Sequence, residues 1–345
     1  MGKTFGRYIK IGLGQEQVFN IYETGATTKP EVHGIYINPG GLDLKPQKEK
    51  ITIPTARGLV LPHVADTKDG IRGWTGKIPF ALSKEDMNWI LLNLLGAVTT
   101  SIIATGPYYK HIHKISNATP KSLSVLYQKD LQGVAGREEK FSGGMIKNLK
   151  LVFDLNKEIS ALIELVGGTY LLAQTVGAPP TYSVPASGDY FYTFIKPSGT
   201  VGNGFSINGL TTWNHVELNF APAIEDGTDL SYNYGSAERA RLERGGEPGM
   251  LITGNAKRIF DEAVNETAWD QDSIITLDFL YGVLDAAGYA FNINLDKLKI
   301  MSSPEPEKKG MSLFEETINF QAFIDSADTE NTIIIQDTQV TPATQ

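Results

Sequence analysis

The chain has 345 residues, 41% of them hydrophobic and 20% charged, which is enough apolar material for two ordinary domains and excludes a disordered chain. It contains no cysteine, which removes a disulfide framework, a thiolate zinc site and a cysteine nucleophile together. A formal net charge of -8 argues against an ordinary nucleic-acid binder, since neutralising phosphates takes clustered Lys and Arg, although an acidic wall is compatible with DNA sliding past.

The 35 Gly and 17 Pro, beside 14 Tyr and 15 Phe, favour many short strands joined by turns, so the expected class is mainly β. The start, MGKTFGRYIKIGLG, has no apolar h-region, and Gly6 stands where a myristoylation pattern needs Ser or Thr, so neither a secretion signal nor a lipid anchor is expected. IGLGQE supplies Gly12 and Gly14 but no third glycine, and reads as a turn rather than a dinucleotide loop. A first strand follows at Gln17 to Glu23. The stretch from Asn38 to Asp69 reads as a long insertion, in which Ile51 to Pro54 and Leu59 to Pro62 flank TARG as an extended hairpin. Its Ile51, Ile53, Leu59 and Leu61 have few obvious places to be buried, which marks them as candidate contacts with a neighbouring subunit.

Strand Ile71 to Phe80 leads to the clearest helix, opened by Ser83 as N-cap with Asp86 three residues later. Met87, Ile90, Leu91, Leu94, Leu95 and Val98 recur at helical spacing, and Gly96 is a natural stop. A single apolar stripe must lie on something, here one side of a sheet. The most apolar stretch, Trp89 to Ala104, is broken by Asn93, Thr99, Thr100 and Ser101 and is short for a bilayer crossing, so the chain reads as soluble, without a membrane anchor.

Strands are expected at Tyr108 to Ile115, Ser122 to Gln128, Met145 to Phe153 and Ile159 to Val166. His111 and His113, two apart on a strand, face one side as a metal pair would. With no acid nearby in sequence and lysines flanking them, they read as surface or interface residues. From Gly167 to Gly209 the chain is rich in Gly, Pro, Ser and Tyr, as in a connector with one embedded strand near Tyr190 to Ile195. A similar order of elements then recurs: strands Thr211 to Phe220, Met250 to Asp261, Ser273 to Tyr281, Tyr289 to Met301, Leu313 to Ile324 and Thr332 to Gln336. A second insertion, Ala221 to Pro248, carries Arg239, Arg241 and Arg244 among acids, and these join the candidate contacts. The expected organisation is a first barrel at 1–176, a connector at 177–209, a second barrel at 210–337 and a tail at 338–345.

Catalytic patterns fail. GIRGWTGKI has the wrong spacing for a phosphate loop, and Ile78 follows Lys77 where Ser or Thr is needed. No Gly-x-Ser-x-Gly elbow exists, and Asp66, Asp69, Asp226 and Asp229 lack EF-hand spacing. Neither a catalytic residue, a metal nor a cofactor is expected. A competing reading is a β-sandwich glycan-binding module or glycosidase, but Trp74, Trp89, Trp213 and Trp269 are spread along the chain rather than gathered.

IGLGQEQVFNIY, RGWTGKIPF, LSKEDMNWILLNLLG and the run from TPKSLSVLYQKD to KFSGGMIKNLKLVFDL together resemble the major tail tube proteins of siphophages. GMSLFEETINFQAFIDSADTENTIIIQD looks like part of a second copy of the same barrel. The resemblance implies two tandem tail-tube-like barrels, the first with a packed helix, in a structural virion protein of the phage tail made in the host cytoplasm. It implies self-assembly into stacked rings that conduct DNA without sequence-specific binding, with tape measure, terminator and distal tail proteins as further partners. Two fused barrels would reach a pseudo-six-fold ring from three copies, the alternative being a ring of six. Size and absent cysteines fit a two-barrel subunit from a phage of a thermophilic host.

Overall fold

The computed structural model describes residues 9–16, 33–35, 37, 41–52, 67–82, 86–103, 108–115, 121–129, 137–155, 157–175, 204–224, 249–260, 263–286, 288–304, 306–309, 313–323 and 331–337. The first half contains strands β1 (Ile9–Gln15), β2 (His33–Ile35), β3 (Asp43–Thr52) and β4 (Thr67–Ala81), then helix α1 (Asp86–Leu95). Strands β5 (Gly96–Ile102), β6 (Tyr109–Ile115), β7 (Leu123–Lys129), β8 (Arg137–Asp154), β9 (Ser160–Gly167) and β10 (Thr169–Thr175) complete it. The second half contains β11 (Gly204–Ile207), β12 (Trp213–Pro222), β13 (Met250–Ile259), helix α2 (Val264–Asp270), β14 (Ile275–Tyr281), β15 (Ala290–Ile300), β16 (Glu307–Lys309), β17 (Leu313–Ala322) and β18 (Thr332–Asp337). The mainly β expectation holds, and the pairing between strands is antiparallel throughout. No helix among the described residues is long and apolar enough to cross a membrane.

β8 organises the first half because it belongs to two sheets. Up to Gly144 it lies between β7 and β10, in the sheet β2–β1–β7–β8–β10. From Met145 onward it lies between β9 and β12, in the sheet β3–β4–β9–β8–β12–β13–β17. Trp74 of β4 fills the space between these layers, fully buried, with its indole N–H donating to the Ser142 carbonyl at 2.8 Å. Gly144 and Gly167 pass so close to this ring that a Cβ at either would overlap it.

Among the described residues, the halves are joined by backbone hydrogen bonds at two places. β8 pairs with β12 from Asp154↔His215 to Leu149↔Phe220, and β6 pairs with the C-terminal β18 from Lys114↔Thr332 to Tyr109↔Asp337. Side chains reinforce both seams: Phe153 meets Phe205 edge-on at 4.7 Å between ring centroids, and Lys110 reaches Asp285 at 2.9 Å. One apolar cluster accordingly runs from Ile11 in β1 to Ile335 in β18. The element order also repeats. In each half the second arm of a hairpin (β4, β13) leads into a helix, and a late strand of the same half (β9, β17) takes that arm's other edge.

Several sequence expectations change. IGLGQ is a strand, not a turn: β2 and β7 pair with it on both sides, and Ile11 and Leu13 alternate inward across Gly12. Val98 belongs to β5 rather than to the helical stripe. Gly96, at φ +88°, ends the helix, and the β-branched Val98, Thr99 and Thr100 then favour extended chain. Much of the Asn38 to Asp69 insertion forms the paired arms β3 and β4. The strands expected at Gln17 to Glu23 and Tyr190 to Ile195, the cap at Ser83 and the tail at 338–345 lie outside the described residues.

Candidate assembly surface

Of the candidate contact residues, Ile51 stands on β3, paired in register with Lys68 of β4. Ile53, Leu59, Leu61, Arg239, Arg241 and Arg244 lie outside the described residues. The last pair of the β3–β4 ladder is Thr52↔Thr67, so residues 53–66 join the two arms at the end of the hairpin.

The outward face of the sheet from β4 to β17 is polar and largely self-neutralised. Lys77 bonds Glu164 across β4 and β9, and this pairing, opposed only by desolvation, raises the lysine pKa. Lys150 reaches Glu217 at 2.7 Å. Burial works against the Glu217 carboxylate, but hydrogen bonds from Lys150 and Asn219 outweigh it and hold its pKa below the ordinary value. At the end of the seam His215 Nδ1 lies 2.6 Å from Asp154, and that hydrogen bond is the main reason the Asp154 pKa is lowered. Asn255 donates to Asn319 at 2.7 Å in the middle of the face. Such a surface has cations, but most have their charge met by an acid close by.

His111 and His113 are the clearest correction to the sequence reading, since both are fully buried rather than on the surface. His111 Nε2 lies 3.1 Å from Asp337 Oδ1, and its Nδ1 lies 2.9 Å from Thr100. His113 Nε2 lies 2.8 Å from Asn88 Oδ1, and the Asn88 amide donates to Asp337. Desolvation, then the charge of His111, push the His113 pKa down to about 3. The acid that sequence proximity could not supply comes from the far end of the chain. The inward orientation was nonetheless readable: His111 and His113 alternate with Lys110, Ile112 and Lys114, and the lysine phase must face water.

A second polar centre, around Arg258, Glu316 and Asn265, was missed entirely. Arg258 Nε donates to Glu316 at 2.7 Å with both side chains fully buried, Asn265 Nδ2 donates to the same oxygen at 3.1 Å, and the guanidinium lies 5.8 Å from the Trp213 ring. No group of three or more His or acidic side chains suited to a metal exists among the described residues. Trp74 and Trp213 are both buried, so two of the aromatics that a sugar platform would use are core residues.

The family described as phage tail tube protein matches residues 6–322. The chain belongs to this family. No curated protein matches it. Membership makes it a structural tail component rather than an enzyme, and a part of the virion assembled in the host cytoplasm. It assembles with itself and with other tail proteins.

Proposed function

We propose that this tail tube protein polymerises into stacked rings of three copies, each half supplying one of six similar modules, and that the resulting tube conducts DNA during ejection from a siphophage. The observation that carries this reading is the repeated order of hairpin, helix and late strand in the two halves, β3–β4–α1 with β9 and β12–β13–α2 with β17. Two modules of one pattern fused in one chain satisfy a pseudo-six-fold ring with three chains, through head-to-tail contacts that close by rotation. The largely paired charges of the outward sheet face favour a wall that holds few phosphates, in keeping with DNA that must move.

The β3–β4 hairpin, with Ile51, Ile53, Leu59 and Leu61 toward its end, reaches an adjacent ring in this reading, and Arg239, Arg241 and Arg244 act from the second insertion. Tape measure, terminator and distal tail proteins meet the finished tube. Electron microscopy of the purified protein at high concentration tests the proposal: tubes with three chains per ring are expected. Six whole chains per ring would overturn the stoichiometry, and an absence of any assembly would overturn the tube. Deleting Lys50 to Pro62 should leave a folded subunit that no longer elongates.

A further inference from the structure

Charge is distributed very unevenly along this chain. From Ile259 to Asp296 there are eight acids and no Lys, Arg or His, so this stretch alone matches the formal net charge of -8. From Asp43 to Ala81, the β3–β4 hairpin, seven Lys and Arg stand against four acids. Lys45, Lys48 and Lys50 are exposed along β3. Exposure is continuous from Lys45 to Lys48, so both faces of the strand meet solvent there.

Within the acidic stretch lies an apolar corner. Trp269, in the last turn of α2, is 43% exposed, and Ile274, just beyond the helix, is 59% exposed. The turn between them is closed. The Asp272 amide donates to the Trp269 carbonyl at 3.1 Å, the Ser273 amide donates to the Ala268 carbonyl at 2.8 Å, and Lys299 donates to the Asp272 carboxylate at 2.6 Å. Asp272 itself sits at φ +48°, a left-handed conformation that Asp tolerates better than most residues. An exposed Trp on a preformed surface is the kind of residue that dominates binding energy in protein interfaces. The last turn of α2 holds no base, although a cation there would stabilise so short a helix, and the exposed Asp270 stands in it instead. Folding alone does not ask for this composition.

We propose that this α2 corner is the docking site for the β3–β4 hairpin of a copy in the adjacent ring. The occupant is a second copy of this chain because the hairpin supplies what the corner lacks. Its cations match Asp270 and the acids around it, and the apolar residues toward its end match Trp269 and Ile274. Docking here presupposes the reading above that the hairpin reaches an adjacent ring, and it names the surface that the hairpin meets. The charges also orient the stacking: hairpin against hairpin, or corner against corner, would oppose like charges, and such juxtapositions are costly.

The test reverses charge on each side in the full chain. Asp270→Lys with Gln271→Lys should keep or raise the melting temperature, because cations then complement the helix dipole, and should abolish elongation at concentrations where the wild type forms tubes by electron microscopy. Lys48→Glu with Lys50→Glu should also stop elongation while the subunit stays folded. Should that pair lower the melting temperature, Gln47→Glu with Lys50→Glu replaces it. A chain carrying both reversals should elongate again, since each corner then meets a hairpin of opposite charge. Normal elongation by either folded variant, or none by the folded chain with both reversals, overturns the docking site. The Lys50 to Pro62 deletion separates this result from the hairpin reading. A deleted chain that still elongates overturns hairpin and corner together, whereas a deleted chain that stalls beside charge variants that elongate overturns the corner alone. A wild-type chain that forms no tubes overturns the tube and this site with it.

Discussion

The two helices use the same polar device in opposite settings. Each lays an asparagine on a buried acid: Asn88 of α1 donates to Asp337 of β18, and Asn265 of α2 donates to Glu316 of β17. Each acid has a basic partner on a neighbouring strand, His111 at 3.1 Å in the first case and Arg258 at 2.7 Å in the second. The surroundings differ. α1 also buries Met87, Ile90, Leu91, Leu94 and Leu95, whereas α2 has seven residues and buries only Ala268 and Asn265. A helix that short has little stability of its own. What it lacks in apolar burial it must recover from its hydrogen bond to the buried Arg258–Glu316 pair.

Removing the cation from the second centre should therefore be the most damaging single change. Arg258→Leu leaves Glu316 buried without its counter-charge and should cost about 3–5 kcal/mol, measured as a shift in urea denaturation. Replacing both partners, Arg258→Met with Glu316→Leu, should cost far less, because apolar residues of similar size need no partner. If the double replacement proves as harmful as the single one, the pair is stabilising in itself and the contrast between the helices must be redrawn.

For α1 the large effects should come from carbon. Leu91→Ala or Leu94→Ala, each at a fully buried position, should destabilise the subunit by about 2–5 kcal/mol. Unchanged thermal stability in both would mean that the apolar stripe does not hold this helix in place.

This difference also explains what could be read in advance. The stripe from Met87 to Leu95 is a period in the sequence, and so are the alternations that gave β8, β9, β12 and β15. α2 has no such period, and its anchor joins residues 258, 265 and 316, which only the pairing of β13 with β17 brings together. The same holds for His111 and Asp337, separated by 226 residues and joined through the β6–β18 ladder. β1 reads locally as a turn because its glycines weigh as breakers, while strands from elsewhere supply both of its partners. The candidate contacts are apolar or basic residues in long insertions, a pattern visible in the sequence.

A smaller change probes the shared device directly. Asn265→Ala removes one hydrogen bond to Glu316 and leaves the Arg258 contact, and should cost about 1.5–3 kcal/mol, the range for a hydrogen bond to a charged group. Thermal melts of this variant should fall between the wild type and Arg258→Leu. A cost equal to that of Arg258→Leu would show that the asparagine, not the arginine, is what makes the buried acid tolerable.

The mildest effect near neutrality should come from pH. His113 is held neutral by burial first and by the charge of His111 second, with its pKa lowered to about 3 in the folded chain. An unfolded histidine titrates near 6.5, so the unfolded state binds the extra proton first as the solution is acidified. The stability that neutral His113 contributes is thus fully present above about pH 6.5 and is lost progressively as pH falls from there toward 3, by about 1 kcal/mol between pH 7 and 5.5. His111 and Asp337 share the network, and Asn88 links it to α1, so the loss should be felt at the seam between β6 and β18. Urea denaturation of wild type and His113→Gln at pH 7 and 5.5 isolates the effect, with the variant expected to show the shallower dependence. Equal slopes would remove His113 from the account and leave the seam held by its backbone ladder and apolar packing alone.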